Sequence, residues 1–196
     1  KGTSVIIEDV AFELQHLASA AADLTALFHK HGYPEGVIYG HALAGNFHFI
    51  ITPTFASQDD INRFQDFMQD VAEMVINKYD GSMKAEHGTG RAVAPFVEME
   101  WGTDAYTLMK QIKQIFDPSK LLNPGVILND DTLVHVKNIK PCPVVDDFVD
   151  KCIECGFCEK TCPTSALNFS PRQRIAVLRE IERLEQSGDK KAAAEM

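Results

Sequence analysis

Four cysteines late in the chain are spaced to bind a metal cluster. The spacing Cys-x-x-Cys-x-x-Cys-x-x-x-Cys-Pro is formed by Cys152, Cys155, Cys158, Cys162 and Pro163. It is the ligand run of ferredoxin-type 4Fe–4S clusters, and soft thiolate ligands favour iron–sulfur or zinc over hard cations. Zinc ribbons usually divide their ligands into two distant cysteine pairs, a pattern that this sequence does not contain. The run therefore predicts a 4Fe–4S cluster rather than a zinc knuckle.

The completeness of this cluster site is a separate question. In two-cluster ferredoxins, the fourth cysteine of a run binds the other cluster, and only one run is present here. The fifth cysteine, Cys142, lies beside two prolines, and we interpret it as an ordinary thiol. We expect the chain by itself to hold its cluster poorly.

Two histidines in the first half of the chain form a second candidate group. His41 and His48 are seven residues apart, in two runs of strand-forming residues. If Ala44-Gly45 is the centre of the turn, the two histidines face each other across an antiparallel pair. Their Cβ atoms would then be roughly 4.5–5.5 Å apart, which is close enough to share one divalent metal. Taken alone, such a pair is more often solvated or hydrogen-bonded than metal-bound.

The segment from Glu86 to Arg91, Glu-His-Gly-Thr-Gly-Arg, adds further chemistry. It supplies a carboxylate, a third imidazole at His87, and two glycines that let the backbone approach a ligand closely. Two histidines and a carboxylate suit a zinc or manganese ion with open coordination positions. The alternative is that Glu86 forms an ion pair with Arg91 or Lys84 on a solvated loop. The residues alone favour neither interpretation.

Apolar spacing predicts the elements that must position these groups. We expect a strand at residues 5–7, a helix at 14–28 and two strands at 37–41 and 46–53 that form a hairpin. Two further helices, at 59–75 and 104–116, would each pack through an apolar stripe. A linker at 129–143 and a last helix from residue 170 onward, capped by Ser-Pro, would follow.

Composition excludes several functional classes. The chain has 196 residues, of which 45% are hydrophobic and 24% charged, as in ordinary globular proteins. Its net charge of -9 argues against a nucleic acid partner. No apolar run reaches the roughly 18 residues that span a bilayer. The crowded cysteines favour a reducing compartment over a disulfide framework, so we expect a cytoplasmic protein. Because the chain begins at Lys1 without an initiating Met, we also expect it to be a piece of a longer one.

These motifs together resemble the flavin-linked oxidases of the vanillyl-alcohol oxidase superfamily, in the D-lactate and D-2-hydroxyglutarate dehydrogenase branch with a fused iron–sulfur domain. Residues 40–48 resemble the Gly-His … Gly-Asn-Leu-His segment of that family, and residues 84–91 resemble its second signature. Residues 94–98 and 116–125 extend the similarity. Many relatives carry Gly-Asp where this chain has Leu43-Ala44, so any role of that acidic residue is missing here.

The resemblance implies an α+β fold. Residues 1–140 would form a cap domain with a ferredoxin-like antiparallel sheet and helices on one face. Residues 141–196 would begin a small α-helical iron–sulfur domain. The FAD-binding domain would lie outside this sequence, so we expect the chain alone to bind FAD poorly and not to turn over substrate.

The resemblance also implies roles for single residues. His41, His48 and Glu86 would bind a divalent metal, zinc or manganese, while His87 would accept the proton of the substrate hydroxyl. Asn123 would lie near the flavin. The intact enzyme would oxidise a D-2-hydroxy acid, with D-lactate favoured over D-2-hydroxyglutarate, and electrons would leave through FAD and the iron–sulfur cluster to a respiratory or other acceptor.

Two other functional classes compete with this reading. One is a ferredoxin-type electron carrier without its own substrate site, and the other is a metal-binding regulatory module. For the enzyme, peripheral association with the inner face of the cell membrane is left open, by analogy alone.

Overall fold

The computed structural model describes residues 2–140, 142–164 and 167–196. The chain divides into two compact units. The sheet unit comprises Ile6–Pro53 and Asp59–Ile139. The cysteine unit comprises residues 2–5, Thr54–Gln58 and the described residues from Lys140 onward. No helix in the described residues combines the length and apolar character needed to cross a bilayer.

The sheet unit is built on three antiparallel strands. Strand β1 spans Ile6–Ala11, β2 spans Val37–His41 and β3 spans Asn46–Ile51. Their order is β1-β3-β2, so β3 is the central strand. Ala11, the last residue of β1, also forms an isolated antiparallel bridge with Ser82. The first strand is therefore longer than the apolar run at residues 5–7 predicts, because it continues through Glu8 and Asp9.

Two helices cover one face of the sheet. Helix α1 spans Leu17–Lys30, and α2 spans Gln58–Ala72 and continues as a π-helical turn. Phe28 of α1 and Phe67 of α2 each place their rings 6.0 Å from the ring of Phe49 on β3. All three rings are buried, and burying side chains of this size contributes about 1.5–3 kcal/mol each. The α+β class with an antiparallel sheet is confirmed.

The third helix differs from the sequence prediction at its start and along its apolar stripe. Helix α3 spans Val97–Phe116, seven residues earlier than expected, and is interrupted at Gly102, whose φ is 78°. Tyr106 is buried, as expected. The prediction that the whole stripe packs is wrong for the described residues, since periodicity marks an apolar face without showing what covers it. The exposed side chains are Leu108, Ile112, Ile115 and Phe116.

A buried carboxylate organises the turn after α3. Asp117 accepts hydrogen bonds from the backbone N–H groups of Leu121 at 2.8 Å and Leu122 at 2.9 Å. Lys113 lies 2.7 Å away. The Lys113 ammonium, followed by the two backbone donors, outweighs the effect of burial and lowers the pKa of Asp117 from 3.8 to about 2. This turn leads directly into the segment that contains Asn123.

The cysteine unit is held by a capped helix pair. Helix α4 spans Pro171–Gln186, and its N-cap Ser170 forms a reciprocal capping box with Gln173. The Ser-Pro signal therefore does begin a helix. Helix α5 spans Lys190–Glu195 and follows at once.

Asp117 supplies a test of this architecture. Because its folded-state pKa is depressed, its ionised form stabilises the fold above pH 3.8, and this stabilisation is lost as the pH falls through about 2. We expect Asp117→Asn to lower the urea midpoint at pH 7, and the difference from wild type to shrink between pH 4 and pH 2. Asp130→Asn is the control, since Asp130 is 84% exposed in its ion pair with Lys110 and exposed pairs contribute about 0–1 kcal/mol. Equal midpoints for Asp117→Asn and wild type at pH 7 would contradict the role.

Candidate metal and proton-acceptor site

The face of the sheet opposite the helices carries a row of polar side chains. Asp9 of β1 and Tyr39 of β2 are both register partners of His48 on the central strand. Residues paired in this way project from the same face of a sheet. The ring of Tyr39 lies 5.1 Å from that of His48. In the next row, Asn46 is paired with His41. The hairpin therefore gathers both predicted histidines on the helix-free face.

The prediction that His41 and His48 face each other directly across the hairpin is wrong. The register pairs His41 with Asn46 and Tyr39 with His48, so the two histidines are diagonal neighbours. The cause is the turn, which is centred one residue earlier than Ala44-Gly45. A short 3-10 turn over Ala42–Ala44 precedes Gly45, which adopts a left-handed φ of 70°. The imidazoles still approach each other, with ring centroids 5.4 Å apart and planes at 88°.

One carboxylate oxygen lies among three imidazoles. Glu86 Oε1 is 2.9 Å from His48 Nε2, 3.5 Å from His41 Nε2 and 3.8 Å from His87 Nε2. The sequence left open an ion pair of Glu86 with Arg91 or Lys84. Instead, Arg91 donates to the carbonyl of Pro124, and Lys84 contacts two other carboxylates. The carboxylate thus faces the histidines.

This arrangement fits a single divalent cation. The ligand atoms of His41, His48 and Glu86 all lie within 4.8 Å of one another. Bonds of about 2.0–2.1 Å to a tetrahedral zinc place neighbouring ligand atoms about 3.4 Å apart, close to the 2.9 and 3.5 Å from Glu86 Oε1 to the two imidazole nitrogens. The side chain of His48 is only 5% exposed, and its Nε2 is the nitrogen that faces Glu86. The donor set, two imidazoles and one carboxylate, is one that zinc and manganese accept.

A buried aspartate holds the loop that supplies Glu86 and His87. Asp9 is fully buried, and its Oδ2 accepts the backbone N–H groups of Ala85 at 3.2 Å, Glu86 at 2.6 Å and His87 at 3.1 Å. Lys84 donates to its other oxygen. Burial by itself raises the pKa of Asp9, but the hydrogen bonds from Glu86, His87 and Lys84 outweigh it and keep the pKa below its ordinary value. Asp9 therefore lies in this site as a carboxylate.

His87 lies between Asp9 and the candidate cation site formed by His41, His48 and Glu86. Its ring stacks on that of His48, with centroids 4.7 Å apart and planes at 19°. Its Nδ1 is 3.8 Å from Asp9 Oδ1, whereas its Nε2 faces Glu86. The His87 side chain is 40% exposed, so a small molecule can reach it. An unprotonated imidazole nitrogen in this position can accept a proton from a bound molecule.

Two glycines allow the backbone to close around the site. A Cβ at Gly40 would lie 2.4 Å from the carbonyl oxygen of Asn46, and one at Gly45 would lie 2.1 Å from that of Phe12. Gly45 also accepts the N–H of Phe12 at 2.8 Å. A side chain at Gly40 would force β2 and β3 apart, and a side chain at Gly45 would push the hairpin away from Phe12.

Asn123 lies beside the loop of residues 84–91 rather than among His41, His48 and His87. The loop and the Asn-Pro-Gly turn are joined by two hydrogen bonds, from Arg91 to Pro124 and from the N–H of Ile127 to Gly90. Asn123 adopts a left-handed φ of 43° and lines a cleft of about 450 Å³. It makes no hydrogen bond to the histidines in the part of the chain that the structure describes. Its predicted proximity to flavin stays a prediction.

The four cysteines lie in an irregular segment of the cysteine unit. Cys155 and Cys158 are exposed, and Cys152 and Cys162 are half-buried. Among described residues, no three of their sulfurs lie within 4.8 Å of one another, whereas a single tetrahedral zinc with bonds of about 2.3 Å requires about 3.8 Å. Buried Arg179 anchors the segment by donating to the carbonyl of Cys152 at 3.1 Å.

Comparison with known families identifies the family of the chain. The chain belongs to the family described as FAD linked oxidases, C-terminal domain, which matches residues 1–127. Residues 147–168 match the 4Fe-4S binding domain. The family membership and the iron–sulfur segment predicted from the sequence are therefore confirmed.

Several curated proteins are similar to the chain. It is 32% identical over 120 residues to a D-2-hydroxyglutarate dehydrogenase of Xanthomonas citri pv. viticola, which is 60% of this chain and 25% of that protein. It is 28% identical over 133 residues to glycolate oxidase subunit GlcD of Bacillus subtilis, which covers 68% of this chain and 28% of that protein. The D-2-hydroxyglutarate dehydrogenase of Haemophilus influenzae matches at 27% over 202 residues, covering 91% and 19%. The chain thus spans between a fifth and just over a quarter of these relatives.

The packing of Gly45 is testable by substitution. We expect Gly45→Ala to lower the free energy of unfolding by about 2–5 kcal/mol, because the left-handed φ is strained for alanine and the Cβ overlaps the Phe12 carbonyl. Gly32→Ala is the matched control, since Gly32 has a similar φ of 74° but nothing within 4 Å of the added Cβ. It should lose only about 1–2 kcal/mol. Urea unfolding followed by circular dichroism measures both, and equal losses would show that the close approach is not limiting.

Proposed function

We propose that this chain is the substrate-side and electron-exit part of an FAD-dependent dehydrogenase that oxidises a D-2-hydroxy acid to the 2-oxo acid. The observation that carries the proposal is the position of Glu86 Oε1, within 3.8 Å of the Nε2 atoms of three histidines. Membership of the FAD-linked oxidase family supports the redox chemistry. Relatives named as dehydrogenases of D-2-hydroxyglutarate and D-lactate support the substrate class.

We assign the cation site to His41, His48 and Glu86. A divalent ion held there, zinc or manganese, would supply Lewis acidity that lowers the pKa of a bound hydroxyl. The chain contributes the fixed geometry: His48 is buried and immobilised between Tyr39 and His87, while His41 is 64% exposed at the open side. A substrate would approach from that open side.

His87 is assigned as the proton acceptor. Its Nε2 faces Glu86 of the cation site, and its Nδ1 faces the Asp9 carboxylate. A carboxylate 3.8 Å from Nδ1 favours the tautomer that carries its proton on Nδ1 and leaves Nε2 unprotonated. The hydroxyl proton would move to Nε2, and flavin supplies the acceptor for the hydride that leaves the substrate carbon. Proton and hydride together are the two-electron oxidation of the alcohol.

Among 2-hydroxy acids, D-lactate is favoured over D-2-hydroxyglutarate. The row of side chains beside the Asp9–His48 row consists of Ile7, Ile50 and Val37, and Ile7 and Val37 are about half exposed. A methyl group suits this apolar surface, whereas the second carboxylate of D-2-hydroxyglutarate needs a cation. Lys84 is already engaged by two carboxylates. D-2-Hydroxyglutarate remains the alternative substrate.

Electron exit is assigned to the cysteine run. Cys152, Cys155, Cys158 and Cys162 would hold a 4Fe–4S cluster, which supplies one-electron transfer from the flavin toward a respiratory or other acceptor. The match of this segment to a 4Fe-4S binding domain supports the assignment.

We also propose that the sheet unit is a ferredoxin-like fold in which the fourth strand is shortened to a single bridge. The element order β-α-β-β-α and the strand order β1-β3-β2 support this. A fourth strand would lie beside β1, where the bridge between Ala11 and Ser82 is the one pairing described.

Two substitutions in the full-length flavoprotein separate metal binding from proton transfer. His41→Ala should lower the content of bound zinc or manganese at least tenfold and abolish turnover. His87→Ala should keep the metal and lower kcat by about 10²–10⁴-fold, because it removes only the proton acceptor. His29→Ala is the control, since His29 is an exposed residue of α1. Metal analysis and flavin bleaching by substrate are the measurements.

The outcomes also separate the enzyme from its competitors. Unchanged turnover in His87→Ala would refute its role as the base. Unchanged turnover in both variants would favour an electron carrier that has no substrate site of its own. Metal binding without any flavin reduction by 2-hydroxy acids would favour a regulatory metal module.

Substrate choice is tested by the ratio of kcat/KM for D-lactate to that for D-2-hydroxyglutarate. We expect a ratio of about 10 or more in the wild type, and a fall of about tenfold in Val37→Arg, because a guanidinium would pair with the distal carboxylate. Val37→Met keeps a long side chain without charge and should preserve the ratio. A wild-type preference for D-2-hydroxyglutarate would contradict the assignment.

A further inference from the structure

Asp9 is a buried acid whose bonds are made mainly to backbone. Its Oδ2 accepts three successive N–H groups, those of residues 85–87, at 2.6–3.2 Å. Few single oxygens accept three amides, and such a concave run of N–H groups is otherwise an anion-binding nest. Here the anion is a side chain of the same protein, on the strand next to His48. The loop is therefore fastened to the sheet at one atom.

Fastening at this atom determines where the adjacent side chains project. Glu86 and His87 are both held by their own N–H groups, and their side chains both reach the histidine cluster: Glu86 Oε1 contacts His48 Nε2, and the His87 ring stacks on the ring of His48. Consecutive residues in an extended segment point in opposite directions. The turn around Asp9 Oδ2 is what lets two neighbours serve one site.

We propose that Asp9 is the positioning residue of this site: its carboxylate holds the backbone of residues 85–87 so that Glu86 and His87 converge on His48. The expected effect of Asp9 on catalysis rests on the proposed function, whereas its hold on the backbone of residues 85–87 does not. Asp9 Oδ1 is also 3.8 Å from His87 Nδ1, so the same carboxylate limits the rotation of that ring.

A neighbouring acid provides a matched control. Lys84 Nζ contacts both Asp9 and Glu8, so either carboxylate could be replaced without leaving the lysine unpaired. Glu8 has no hydrogen bond to residues 85–87 among the contacts described. Glu8→Gln therefore removes a charge beside Lys84 while keeping the three backbone bonds.

Asp9→Asn is the informative variant because it keeps the size of the side chain. Its amide carbonyl can still accept one or two N–H groups, but the charge that strengthens these bonds is lost, and its NH2 group cannot accept any. Asp9→Ala removes every acceptor and tests the same contact more severely.

The experiment compares wild type, Asp9→Asn, Asp9→Ala and Glu8→Gln in the full-length protein. Amide hydrogen exchange of a peptide covering residues 85–87 is the first readout, and kcat, KM and metal content with D-lactate are the second. For Asp9→Asn we expect exchange at least tenfold faster than in wild type. We also expect kcat to fall by about 10²-fold, as for a misplacement of about 1 Å, with KM changing less. Glu8→Gln should match wild type in both readouts.

Each outcome decides the proposal. Exchange and kcat within twofold of wild type in Asp9→Asn would overturn it, as would equal effects of Asp9→Asn and Glu8→Gln, which would point to Lys84 instead. If neither Asp9 variant folds while Glu8→Gln does, Asp9 is a core-forming residue and the proposal is wrong. If the wild type oxidises no 2-hydroxy acid, the proposed function fails, yet the exchange data still decide whether Asp9 holds the loop.

Discussion

The buried carboxylate of Asp9 joins a strand of the sheet to the loop that carries Glu86 and His87. It does so through three backbone N–H groups that share one oxygen. A charged acceptor in a position without solvent makes strong hydrogen bonds, and its own burial is offset by them, so its pKa stays below the ordinary value. The backbone that carries these two side chains is thereby fastened to the sheet.

This anchor is effective because β3 is the central strand. One face of β3 packs Phe49 against α1 and α2, so the strand cannot shift without disturbing the aromatic core. The other face carries Asn46 and His48, both buried. Reactive groups placed on a rigid element and supported by a second layer of contacts keep their geometry better than groups on free loops. The exposed members of the site are His41 and Glu86.

The sequence predicted the order of strands and helices, the hairpin and the residues that converge, because each depends on local spacing or on a motif. It did not predict the register, which depends on whether the turn is centred on Ala44-Gly45 or one residue earlier. It also gave no sign of Asp9, since the two acids Glu8 and Asp9 after three apolar residues look like the end of a strand. Only the fold brings that carboxylate to the loop, 76 to 78 residues away.

The central claim is that two histidines and one glutamate form a single cation site, and X-ray absorption at the zinc edge of the zinc-loaded full-length protein tests it most directly. We expect nitrogen and oxygen neighbours at about 2.0–2.2 Å with the outer-shell pattern of two imidazoles. Sulfur neighbours at about 2.3 Å would place the metal on cysteines instead. A shell without imidazole would likewise contradict the site formed by His41, His48 and Glu86.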